Sequence, residues 1–61
     1  MQCKVKILTP LEGVYRDYQP EVGKIYDAEY RKSRKGNADF AVIDIKDKKI
    51  IVRLGEFEVV G

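Results

Sequence analysis

Histidine and tryptophan are missing from this chain, and cysteine, serine and threonine occur once each, as Cys3, Ser33 and Thr9. Without histidine, a serine or cysteine nucleophile lacks the base that usually takes its proton, so a hydrolase of that kind cannot be assembled. A single cysteine excludes an internal disulfide, and the missing histidine removes an ordinary Cys/His zinc site as well. Cys3 alternates with Val5 and Ile7 and reads as a small core residue rather than a reactive thiol. Long apolar runs are lacking too. None approaches the roughly 18–20 residues of a membrane span, and the charged start Gln2-Cys3-Lys4-Val5-Lys6 is unlike a signal peptide. The expectation is a cytoplasmic protein with no membrane contact.

A strong charge of one sign is also absent. Twelve Lys and Arg stand against ten Asp and Glu, for a net charge of +2, too small an excess to argue for a polyanionic partner by itself. The hydrophobic fraction of 44% is that of an ordinary folded domain, so the 36% of charged residues does not signal disorder. At 61 residues there is room for one core. Residues 1–61 are read as a single domain held by packing alone.

Gln2–Leu8 alternates polar and apolar residues, with Cys3, Val5 and Ile7 on one side, which is the period of a half-buried strand. Thr9–Gly23 keeps neither period and is punctuated by Pro10, Gly13, Pro20 and Gly23, as in a long ordered loop. A second strand is expected over Lys24–Lys32, with Tyr26, Ala28 and Tyr30 opposite Asp27, Glu29 and Arg31. Ser33–Ala38 has a polar turn composition. Asp39–Ile45 and Lys49–Arg53 read as third and fourth strands, close enough to pair as an antiparallel hairpin across Lys46-Asp47-Lys48. Leu54-Gly55-Glu56-Phe57 is long enough for one helical turn, and Glu58-Val59-Val60 makes a last strand. The expected core is Val5, Ile7, Ile25, Ala28, Val42, Ile50, Val52, Phe57 and Val59. The resulting fold class is all-β, a five-stranded SH3-like small barrel with one short helical turn before the last strand; closure would hide the strand edges.

Val22-Gly23-Lys24-Ile25-Tyr26-Asp27-Ala28-Glu29-Tyr30, Ala41-Val42-Ile43-Asp44 and Leu54-Gly55-Glu56-Phe57-Glu58-Val59-Val60 together resemble the small SH3-like proteins of phages and prophages of Gram-positive bacteria. Those proteins share a G-K-x-Y-x-A opening strand, an I-D hairpin and an F-E-V-V ending. Many carry a tyrosine-proline stretch where this chain has Val52-Arg53-Leu54-Gly55. The resemblance covers about forty residues by the span of these motifs. It implies the barrel and a phage or prophage accessory role, and it brings no assigned activity and no site.

Three groups of side chains are candidates for chemistry. Asp27 and Glu29 share a strand face, but they alternate with the core face and so should point to water, where their acidity would not be tuned. Asp39, Asp44 and Asp47 lack the spacing of a calcium loop, and the glycines are isolated turn residues rather than a phosphate-binding loop. No metal and no cofactor is expected. Arg31-Lys32-Ser33-Arg34-Lys35 places four positive charges in five residues, a run that serves either as a phosphate grip, with Lys46, Lys48 and Lys49 as a second cluster, or simply as a solubilising, edge-protecting loop. In an SH3-like barrel this loop should flank the same surface as the long first loop.

That long loop carries Val14-Tyr15-Arg16-Asp17-Tyr18-Gln19-Pro20, more aromatic surface than its own packing requires. Two tyrosines and an arginine suit protein recognition, supplying rigid contact area and hydrogen-bond donors. The run resembles the A-L-Y-D-Y stretch of eukaryotic SH3 domains, which holds proline-rich peptides, although no tryptophan is present to complete the aromatic groove. The alternative is that one tyrosine packs the loop down while the other is half exposed. The expected function is therefore a non-catalytic binding module that meets a protein partner through Tyr15, Arg16, Tyr18 and the basic residues Arg31, Lys32, Arg34 and Lys35. The alternative is a nucleic-acid-binding small barrel that uses the 31–35 loop.

Overall fold

The computed structural model of the chain describes residues 1–36 and 38–61. Five strands follow in chain order: β1 (Gln2–Ile7), β2 (Ile25–Arg31), β3 (Phe40–Ile45), β4 (Lys48–Arg53) and β5 (Phe57–Val59). They form one antiparallel sheet in the order β4-β3-β2-β1-β5. The all-β class, the five strands and the β3–β4 hairpin agree with the sequence reading. In the connection between β2 and β3, where a polar turn is expected over Ser33–Ala38, Lys35 and Gly36 form a turn, and Asn37 lies outside the described residues.

Two parts of the fold expectation are corrected. The sheet does not close into a barrel: β4 and β5 are its two ends, and among the described residues the pairing between them is an isolated parallel bridge from Leu54, just after β4, to Phe57. Nor is there a helical turn before the last strand. Arg53-Leu54-Gly55-Glu56 is a tight turn in which the Glu56 N–H donates to the Arg53 carbonyl (2.9 Å), with Gly55 at φ +96°. That left-handed residue leaves the helical region and redirects the chain into β5. The short helical element lies instead in the long loop, as a single 3-10 turn at Arg16–Tyr18.

The core consists of Val5 and Ile7 from β1, Ala28 from β2, Ala41 and Ile43 from β3, Val52 from β4, Phe57 from β5 and Leu11 from the long loop. Ile50, Cys3, Tyr26 and Tyr30 pack against it half-buried. Three expected core residues belong elsewhere. Val42 points to the outer face because β3 runs in the phase that buries Ala41 and Ile43. Ile25 is 52% exposed opposite the outward Lys6, and Val59 is 52% exposed on an end strand with no neighbour beyond it. The Cα radius of gyration is 10.9 Å, close to the roughly 10.5 Å of a compact chain this long, so the long loop lies against the sheet.

Candidate functional site

The long loop leaves β1 and re-enters β2 through main-chain hydrogen bonds that extend the ladder: Gly23 N–H donates to Ile7 C=O (2.7 Å) and Ile7 N–H to Lys24 C=O (3.1 Å). Between these ends the loop is anchored by side chains. Leu11 and Pro20 are buried. The Gln19 amide accepts from the Leu11 N–H (2.6 Å) and donates to the Leu11 carbonyl (3.0 Å) and to that of Val14 (3.4 Å). One side chain thus does for Leu11 what a neighbouring strand would do, satisfying both of its backbone groups.

This frame fixes the backbone of the 3-10 turn, where Tyr18 N–H donates to Tyr15 C=O (2.9 Å). Tyr15 is 82% exposed on it. Tyr18 is half-buried, and the Lys48 ammonium sits 5.3 Å from its ring centre. Lys48 pairs with Ile45 at the hairpin end of the sheet. Tyr18 thus packs partly against the sheet, while Tyr15 is far more exposed than the half-exposed ring of the packing alternative.

The basic run lies elsewhere. Arg31 closes β2, the strand that starts next to the long loop, and pairs with Phe40, which pairs in turn with Arg53. Lys48 and Arg53 stand five residues apart on β4, about 17 Å at the strand rise. The structure therefore places Lys48 at Tyr18, on the turn that also carries Tyr15 and Arg16, and it sets Arg31, Lys32, Arg34 and Lys35 at the opposite end of the strands. The sequence reading instead expects the two groups to flank one surface. It also missed Lys48 as the neighbour of Tyr18, Gln19 as the loop's fastening, and Phe40 and Arg53 as companions of Arg31. The first two had no local signal, and the last depends on strand register.

Asp39 anchors the basic end. Its carboxylate accepts from the Tyr30 hydroxyl (2.9 Å) and from the Ser33 N–H (3.1 Å). The Ser33 N–H and then the Tyr30 hydroxyl hold the Asp39 carboxyl below its ordinary value, with Lys32 adding to the effect. The same hydrogen bond to Asp39, foremost, raises the Tyr30 phenol above its ordinary value. Tyr30 also meets Phe57 edge-on, ring centres 6.3 Å apart, which ties this knot to the core.

Three acids of the outer face are taken up by neighbours. Lys4 bonds Asp27 (2.6 Å), Lys49 bonds Asp44 (2.9 Å), and the N-terminal ammonium lies 3.8 Å from Glu29. Among the described residues no group of acidic or cysteine side chains is placed to hold a metal ion, and no helix is long and apolar enough to cross a membrane. Comparison with family models, with curated proteins and with solved structures returns no match for this chain.

Proposed function

We propose that this chain is a non-catalytic, cytoplasmic binding module, of the accessory kind its resemblance to phage and prophage proteins implies, which engages a partner protein through the long loop. Tyr15 carries the reading. It exposes 82% of its surface from a loop whose backbone is fixed by the Gln19 amide and by buried Leu11 and Pro20. A rigid aromatic presented in this way docks without the cost of ordering a loop first. Arg16 and Tyr18 follow it on the same turn, and Lys48 adds cationic charge at the Tyr18 ring. The reading as non-catalytic draws support from the missing histidine, and from Asp39 and Tyr30 being engaged with each other as an internal fastening.

The test is affinity capture from host lysate, followed by titration of the captured protein with the purified chain. Tyr15→Ala is expected to weaken that complex roughly 30-fold, the effect of losing a central aromatic anchor. Its melting temperature should stay unchanged, and the complex should depend only weakly on salt. Equal affinity of wild type and variant for every captured protein would overturn the reading.

A further inference from the structure

The end of the sheet remote from Tyr15 carries a second surface, independent of the loop reading. On the outer face Arg31, Phe40 and Arg53 stand side by side in one cross-strand row, and Lys32 and Arg34 follow Arg31 into the adjoining loop. Directly opposed residues of antiparallel strands hold their Cβ atoms about 4.5–5.5 Å apart, so an arginine flanks the phenylalanine on each side. Phe40 is only half-buried, with Ile51 (51% exposed) close by.

Two shallow depressions meet at Phe40 and Ala38. One, of about 310 Å³, is completed by Asp39, Ile51 and Arg53, and the other, of about 510 Å³, by Arg31, Lys32, Ser33 and Arg34. Among the described residues, Arg31, Lys32, Arg34 and Arg53 form no salt bridge, whereas three of the chain's other cations and its N-terminus do. The acids nearest the row are already engaged: Asp39 with the Tyr30 hydroxyl and the Ser33 N–H, Glu29 with the N-terminus and the Gln2 amide, and Glu56 with the backbone N–H of Arg53 (2.8 Å). What remains is an aromatic ring between two niches, bordered by four cations that form no salt bridge among the described residues.

We infer that this surface binds a single-stranded polynucleotide, one base stacking on Phe40 while Arg31, Lys32, Arg34 and Arg53 contact backbone phosphates. Unpaired bases expose the π-faces that an aromatic platform needs, and a duplex keeps them stacked inside. Strand addition to a sheet edge would use main-chain hydrogen bonds and a purely acidic peptide would use the charges, and either would leave Phe40 idle.

Fluorescence anisotropy tests the assignment with a labelled DNA strand of about ten nucleotides, within the span one small β module covers. RNA of the same sequence, the corresponding DNA duplex and inorganic polyphosphate serve as comparators. The single strands are expected to bind most tightly. Four phosphate contacts at a slope of about −0.7 each predict a loss of about 50-fold in affinity between about 50 and 200 mM salt. Phe40→Leu, which keeps an apolar strand residue and removes the π-face, should weaken binding roughly tenfold with the salt slope unchanged, and Phe40→Tyr should retain it. Arg53→Gln, at an exposed position, should reduce the slope by about 0.7 and does not depend on how the Phe40 variants fold. Absence of binding at low salt, duplex or polyphosphate binding as tightly as the single strands, or full affinity in Phe40→Leu would each overturn the inference.

Discussion

Asp39 stands one residue before Phe40 and fastens the start of the basic loop, through the Ser33 N–H, to the core-facing Tyr30. Because its folded pKa is depressed below 3.8, its contribution to stability is present above that value and is lost as pH falls through the folded pKa. Tyr30 has the opposite sign. Its pKa is raised above 10.0, so its contribution is present below that value and is lost as pH rises through the folded pKa. The basic end of the sheet should therefore hold its shape between these limits and loosen beyond either one. Asp39→Asn is expected to move the ionisation of Tyr30 back down toward its ordinary value, which ultraviolet titration of tyrosinate absorbance would show. It should also broaden the amide signals of residues 32–36. A Tyr30 transition unmoved by the substitution would mean that the hydrogen bond does not control its acidity.

The β3–β4 hairpin closes on two residues, since Ile45 pairs with Lys48, and both turn residues are left-handed: Lys46 at φ 49° and Asp47 at φ 66°. This is the geometry that asparagine-glycine serves best, because a lysine there carries a steric cost of roughly 1–2 kcal/mol. Replacing Lys46-Asp47 by Asn-Gly should stabilise the chain by about 1 kcal/mol, a rise of about 4–8 °C in Tm for a domain of this size, readable by thermal denaturation. The hairpin itself was legible because two β-branched segments stood so close that little but a tight turn could join them. The phase of β3 was less plain. Phe40–Ile45 is apolar on both phases except for Asp44, and that one carboxylate, sharing its phase with Val42 and Phe40, is the residue that assigns them to the outer face. The turn at Leu54–Phe57 was misread because a four-residue helical turn and a glycine-centred reversal have the same length, and only the positive φ of Gly55 separates them. The site divided in the same way. Tyr15, Arg16, Tyr18 and the 31–35 run stand out as local clusters, whereas Phe40 and Arg53 join Arg31 only through pairings that no local window contains.

An unclosed sheet of this size has to manage two free edges. On β4 a two-residue turn makes Ile45 and Lys48 a hydrogen-bonded pair, so by alternation the backbone groups of Lys49, Ile51 and Arg53 point outward. Those of Arg53 are already satisfied: its N–H donates to the Glu56 carboxylate (2.8 Å) and its carbonyl accepts from the Glu56 N–H (2.9 Å). On β5 the hydrogen bonds of Leu8 to Glu56 and of Val60 to Lys4 turn the even-numbered residues toward β1, leaving Phe57 and Val59 outward, and Phe57 is bridged to Leu54. The longer exposed edge is therefore Lys49–Ile51, guarded by the charges of Lys48 and Lys49, which two copies aligned edge to edge would bring together. Lys48→Thr with Lys49→Thr keeps strand propensity and removes that repulsion. Sedimentation velocity should show the double variant associating at concentrations where the wild type stays monomeric, and adding Ile51→Lys to it should restore the monomer. Association of the wild type itself, or none in the double variant, would show that the lysines do not guard the edge.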